Sequence, residues 1–268
     1  PRSAHFSFTK SCDLLDMEPR WASLRQDGTV DPASVEALLS PNTAAIVAIA
    51  GTTELGAVDP VPQLAALARE AHVPLHVDAA FGGFVIPFLK KAGAALPDFD
   101  LAVEGVASLT IDPHKVGMSP IPAGCIAVRD REMLQRISVP TPYVSTETQA
   151  TLVGTRPGAA AAAAHAVFQH LGEAGYMDVV QRCMANARLL AKLCRDAGLP
   201  PAIEPVLPVV AIPVPNPERV RAALQAKGWY VSLAPLARGV KVVCMPHVTR
   251  EALEEFVPAL VAASREAR

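Results

Sequence analysis

Short β-type runs bounded by Gly or Pro alternate with Ala- and Leu-rich helical patterns through the first half of this 268-residue chain, and that rhythm limits its possible folds more than any other feature. Strands that must be joined by helical crossovers run parallel, so the pattern predicts an α/β domain built on a largely parallel sheet. The expected strands are 4–8 (AHFSF), 44–50 (AAIVAIA), 74–79 (PLHVDA), 108–113 (SLTIDP) and 124–130 (GCIAVRD). Asp31-Pro32 offers an N-cap followed by proline at the first helical position, and Asp59-Pro60 is expected to repeat the device.

From GTRPG at 154–158 the pattern changes. Two long helical stretches are expected at about 159–173 and 176–197. A Pro-rich strand pair follows within 200–215, then a helix near 217–227, a strand KVVCMP and a closing helix from Thr249. The division predicted is a large domain over 1–155 and a smaller C-terminal α+β domain over 156–268, hung on the first by a long helix.

Composition narrows the function. At 51% hydrophobic and 19% charged, the chain can bury a sizeable core and reads as soluble and globular. Its formal charge of -2, without a basic cluster, argues against a nucleic-acid partner. No apolar run approaches the roughly 20 residues of a membrane span, so no membrane partner is expected. The five cysteines (Cys12, Cys125, Cys183, Cys194, Cys244) are scattered, with no CxxC pair and no histidines at zinc-finger spacing. Reduced thiols and a cytoplasmic location fit that usage. The opening PRSAHFSFTKS has neither a charged n-region nor an apolar h-region and is not expected to be a signal peptide.

Two stretches carry chemistry. In PLHVDAAFGG (74–83) an acid, Asp78, ends an apolar strand, and ligands of open α/β sheets gather at the carboxyl ends of strands. In SLTIDPHKVG (108–117) Lys115 follows directly on another strand, after room for one crossover and return. A carboxylate and an amine converging from neighbouring strand ends suit pyridoxal phosphate, whose aldehyde condenses with a lysine while an acid keeps the ring nitrogen protonated. His114, with Ser108 or Thr110, offers donors for the phosphate. His76 and Asp78 share a face by strand period, but the sequence places no third ligand, and no metal is expected.

Seven segments (AHFSFTKS, GTTELGAVD, HVDAAFGG, IDPHKVG, PIPAG, GTRPG and VVCMPH) occur in the order seen in group II pyridoxal phosphate decarboxylases, which the chain resembles over essentially its whole length. Within that group it is most similar to the archaeal L-tyrosine/L-aspartate decarboxylases. The resemblance implies the type I fold of pyridoxal phosphate-dependent transferases, and it implies roles. Lys115 becomes the Schiff-base lysine, Asp78 the partner of the pyridine nitrogen, and His5 the imidazole stacked on one face of the cofactor, with Ala80 against the other. Thr52 would lie near the ring edge and His114 near the phosphate. Thr155 would reach the phosphate of a neighbouring subunit, since sites of this family lie at a homodimer interface. Tyr143 would belong to a covering loop and protonate the α-carbon. The family also carries a further segment ahead of AHFS, with a Gly-rich loop for the phosphate, so the chain is expected to be a fragment or to be completed by another chain. Lys241 stands where the resemblance leads one to expect arginine; a point charge would then meet the substrate carboxylate without a bidentate fork.

Each residue also has an ordinary reading: Asp78 as a turn former, Lys115 and Lys241 as solvated surface, His5 as a strand histidine, Tyr143 as loop packing. The joint motif set outweighs those readings for Asp78 and Lys115. The function expected is decarboxylation of an L-amino acid, with aspartate giving β-alanine or tyrosine giving tyramine. Aspartate is favoured because eight Phe, two Trp and three Tyr leave no obvious aromatic cage by the motifs; glutamate stays open. The alternatives are a carbon-carbon lyase of the sphingosine phosphate lyase type and a truncated, non-catalytic member.

Overall fold

The computed structural model describes residues 1–142 and 147–268. A four-stranded sheet organises the first part: β1 (Ile46–Ile49), β2 (Leu75–Asp78), β3 (Val106–Ile111) and β4 (Cys125–Val128), in that spatial order. The first three run parallel and β4 returns antiparallel to β3. Helices α1 (Ser7–Leu14) and α2 (Pro32–Glu36) precede the sheet, α3 (Val61–Glu70) and α4 (Ile86–Lys91) connect its parallel strands, and α5 (Arg131–Arg136) follows β4. A short ribbon, β5 (Val139–Pro140) with β6 (Thr148–Gln149), precedes the long helix α6 (Ala159–Asp196). The remainder is an antiparallel sheet of β7 (Val209–Pro213), β9 (Gly239–Val243) and β8 (Ser232–Ala234), in the order β7-β9-β8, with α7 (Pro217–Ala226) and α8 (Arg250–Glu266).

Apolar periodicity explains the core. Val61, Leu64, Ala65 and Ala68 form one face of α3 and pack with Leu75 and Val77 of β2 in a cluster that Ile86 and Leu89 of α4 extend. The far half of α6 belongs to a second cluster, where Leu190 and Cys194 meet Val210 and Ile212 of β7 and Phe256 and Leu260 of α8. Between its halves α6 breaks at Gly172, whose φ of 54° and ψ of −167° leave the helical region. Glycine adopts that backbone without a Cβ penalty, so the two expected helices join end to end across a kink. Among the described residues, no helix is long and apolar enough to cross a membrane.

Three expectations are corrected. Residues 4–8 are not a strand. The His5 ring bonds to the Ser7 hydroxyl (2.9 Å) and accepts from the Ser7 N–H (3.3 Å), which turns the chain into α1, a helix with no buried residue. Asp31 does cap α2, accepting from Ala33 N–H, but Asp59 caps nothing. It is fully buried, and its two oxygens accept from Val30 N–H and Ile49 N–H, each at 2.8 Å, tying a loop to β1. Finally, only 209–213 of the expected strand pair is a strand. Pro200, Pro201, Pro205 and Pro208 remove the N–H groups that a ladder requires, so β7 pairs with β9 instead.

Candidate active site

The sheet puts the acid and the amine at one end. β2 and β3 are parallel neighbours with Asp78 opposite Thr110, and the turn carrying Lys115 begins directly after Ile111. The Asp78 carboxylate accepts from its own loop, with Ala80 N–H to Oδ1 at 3.0 Å, while Ala79 N–H donates to Thr110 O at 2.9 Å. The lysine turn is closed by Lys115 N–H to Asp112 O and Ser119 N–H to Pro113 O, both at 3.0 Å. Gly117 is required there, because a Cβ would fall 2.6 Å from Pro113 O. Tyr176 of α6 clamps the same turn from below, its hydroxyl donating to Gly117 O at 2.9 Å.

Around Lys115 the charges are close. Its Nζ lies 3.0 Å from Asp112 Oδ2, and His114 Nε2 lies 3.6 Å from that same oxygen. The His114 Nδ1 accepts from Ala123 N–H at 3.3 Å. His5 feels the whole group: burial holds its imidazole below the ordinary value, the charges of Lys115 and Lys241 push the same way, and Asp78 and Asp112 oppose. Burial also lowers the Lys241 ammonium, with Lys115 adding and Glu54 opposing. His5, Asp78, Asp112, Lys115 and Lys241 therefore share one electrostatic neighbourhood, assembled from four separate segments.

Other expected residues sit differently. Lys241, on β9, donates to Thr53 O at 2.6 Å, and Glu54 accepts from Leu236 N–H at 2.8 Å, so the loop after β1 is pinned to the second sheet. Thr52 is fully buried, and its hydroxyl accepts from Ala57 N–H at 3.0 Å. Ser108 and Thr110 direct their hydroxyls to His76 rather than outward, at 2.8 and 3.1 Å. Thr155 is exposed, just ahead of α6. Tyr143 lies outside the described residues. A cavity of about 520 Å³ opens beside His5, lined also by Arg2, Thr9, Trp21, Thr53 and Glu54.

Three residues at the site were missed from sequence: Asp112, Thr53 and Glu54. Asp112 stands three residues before Lys115 inside a motif already singled out, so its i,i+3 spacing was a usable signal. Thr53 and Glu54 had no such signal, since their partners lie 188 and 182 residues away.

The donor set can be tested against the expected cofactor. A primary amine and a carboxylate at adjacent parallel strand ends, with an imidazole in the same field, are what a pyridine ring bearing an aldehyde requires. The residues present fit the ring and aldehyde of pyridoxal phosphate.

Burial also gives a pH prediction. His76 is held below its usual value by desolvation, with Asp78 opposing, and His5 is lowered as well. Between those depressed values and the unfolded value of about 6.5, the unfolded chain binds more protons. The stability from these rings is fully present above that pH and is lost as pH falls. The melting temperature is expected to drop steadily from about pH 7.5 to 5.5, and His76→Gln should flatten the slope in a calorimetric pH series.

Comparison with known proteins gives the family and the fold. The family described as "Pyridoxal-dependent decarboxylase conserved domain" matches residues 2–210. A probable L-tyrosine/L-aspartate decarboxylase of Methanothrix thermoacetophila is 50% identical over 257 residues, 96% of this chain and 66% of that protein. An L-aspartate/L-glutamate decarboxylase of Pyrococcus horikoshii is 50% identical over 263 residues, 96% of this chain and 67% of that protein. The chain thus spans about two-thirds of the length of these curated relatives. Among solved structures, a sphingosine-1-phosphate lyase of Burkholderia pseudomallei superposes with a TM-score of 0.88 at 26% identity, covering 99% of this chain and 62% of that one. A glutamate decarboxylase of Lactobacillus brevis gives 0.86 at 21% identity, covering 99% and 65%. The fold is the type I fold expected from the motifs.

Proposed function

The chain belongs to the pyridoxal-dependent decarboxylase family, and on that premise we propose that it forms the cofactor-holding part of an L-amino acid decarboxylase acting on L-aspartate, to give β-alanine, or on L-tyrosine, to give tyramine. Aspartate is favoured: it is a named substrate of both relatives at 50% identity. The observation that carries the reading is that Asp78 and Lys115 follow the same end of neighbouring parallel strands, with His5 in the field of both.

In this reading Lys115 supplies the amine for covalent attachment, and Asp78 holds a proton at the pyridine nitrogen. When bound, pyridoxal phosphate supplies a conjugated electron sink for the pair left behind by carbon dioxide. His5 and Ala80 confine the two faces of the ring, and Thr52 shapes the loop at its edge. His114 and Thr155 are assigned to the phosphate, the latter across a homodimer interface, while the Ser108 hydroxyl, engaged by His76, could join them only by exchanging that bond. Lys241 meets the substrate carboxylate with the N–H donors that its bond to Thr53 O leaves free. Tyr143 delivers a proton to the α-carbon. The division at 155/156 and a cytoplasmic location complete the proposal.

The test is direct. The purified chain is given pyridoxal phosphate, the visible band near about 420 nm is recorded, the adduct is reduced with borohydride, and the labelled lysine is mapped. Carboxyl-labelled aspartate and tyrosine then report carbon dioxide, and chromatography of the amine products reports β-alanine and tyramine. Label at Lys115 with carbon dioxide release supports the proposal. Release of an aldehyde would favour the lyase, and label without turnover would favour a non-catalytic chain. Lys241→Ala is expected to raise KM for the amino acid about tenfold while leaving the visible band unchanged, as loss of one charge-assisted contact to the carboxylate would.

A further inference from the structure

His76 is a half-buried imidazole that the proposed chemistry leaves unused, yet it joins three of the segments around the site: β2, β3 and α1. It lies two residues before Asp78 on the same face of β2. Its Nδ1 is 2.8 Å from Ser108 Oγ and its Nε2 is 3.1 Å from Thr110 Oγ1, so the ring spans two residues of β3. Phe8 of α1, three residues beyond His5, packs a tilted ring against it at 6.1 Å between centroids.

The pairing of β2 with β3 shows why such a ring matters. Leu75 stands opposite Val106, but His76 stands opposite Ser108, so an irregularity in register falls between Leu75 and His76. Had the first register continued, Asp78 would face Leu109 instead of Thr110. A one-residue slip exchanges the two faces of a strand, and it would bring the buried Leu109 to the polar side. His76 is the first residue beyond the irregularity, and its ring reaches Ser108 and Thr110 together in the shifted register only. A neutral imidazole offers one donor and one acceptor, and a hydroxyl can answer either.

We propose that His76 is a positioning residue: it locks the acid-bearing end of β2 to the lysine-bearing end of β3 in the shifted register and seats the His5 segment over both. The link to catalysis rests on the function proposed above; the register lock itself is tested without cofactor. Amide hydrogen exchange is followed by NMR in the cofactor-free chain for wild type, His76→Phe and His76→Gln. In His76→Phe the amides of Ala79, bonded to Thr110 O, and Ala80, bonded to Asp78 Oδ1, exchange about tenfold faster, while those of the β7–β9 pairing keep their protection. His76→Gln retains a donor and an acceptor and restores most of that protection. If His76→Phe does not fold, Thr110→Val removes one partner at constant shape and is expected to move the same two amides in the same direction.

Unchanged exchange at Ala79 and Ala80 in the Phe variant, or equal loss in Phe and Gln, overturns the proposal. A second readout is capture of pyridoxal phosphate at Lys115, expected to be about tenfold weaker in His76→Phe and recovered in His76→Gln. A wild-type chain that takes up no cofactor would count against the proposed function, and the exchange data would still decide the role of His76.

Discussion

Lys115→Ala is expected to abolish the borohydride-stable label and the visible band of the cofactor-treated chain, and to lower any turnover by on the order of a thousandfold. The argument is one of chemical scarcity at the site. An aldehyde held over the strand ends has two amines within electrostatic reach, Lys115 and Lys241. Lys241 is the obvious rival, because burial lowers its ammonium and so favours the reactive neutral amine. Its Nζ, however, is already bonded to Thr53 O at 2.6 Å, and that bond holds the loop after β1 in place. The label should therefore disappear in Lys115→Ala rather than move. Peptide mapping that finds it on Lys241 instead would show that the aldehyde end lies nearer β9 than β3. The substitution should barely change the melting temperature: Lys115 is partly exposed, and its pairing with Asp112 is worth no more than about 1 kcal/mol.

Legibility in the sequence followed the range of the interactions that decide each element. β1, β2 and β3 are short apolar runs between turn residues, and their boundaries came out within two residues of those expected. The N-caps of α2 and α8 were equally local, with Asp31 and Thr249 each bonding the next turn. Where a strand-like alternation met a competing short-range bond, the pattern misled: His5 and Ser7 fold back on one another, and an exposed helix replaces the expected strand. The Asp-Pro pair at 59–60 misled for the opposite reason, since its carboxylate is claimed by backbone donors 29 and 10 residues away.

The site divides in the same way. Asp78 and Lys115 could be singled out because each closes a strand, and Asp112 was in view beside Lys115. The register irregularity before His76 could not be seen, because pairing is a property of two strands, and neither run contains the glycine or proline that often marks a bulge. Lys241 was legible as a charge in an alternating strand. Its engagement with Thr53 was not, since that depends on how the second sheet meets the loop after β1.

Asp59→Ala is expected to destabilise the chain by about 3–5 kcal/mol, measured by urea denaturation at neutral pH. Each oxygen of this buried carboxylate is the acceptor for one backbone N–H, of Val30 and of Ile49. Alanine leaves both donors buried without a partner, at roughly 1–3 kcal/mol each. Part of that loss is returned, because burial already opposes the charged form and pushes the Asp59 carboxyl upward, against the two bonds that favour ionisation. Asp59→Asn separates the two effects. The amide carries no charge and escapes the burial cost, but only one of its two ends can accept, so one N–H faces an NH2 group. Its expected loss is about 1–3 kcal/mol, intermediate between wild type and alanine. A loss as large as that of alanine would mean that the second bond, not the charge, governs the site. A loss near zero would mean that the loop at Val30 can leave β1 without cost. Because Ile49 is the last residue of β1 and the loop carrying Thr53 follows directly, that second outcome would also separate the stability of this corner from the placing of Thr53 against Lys241.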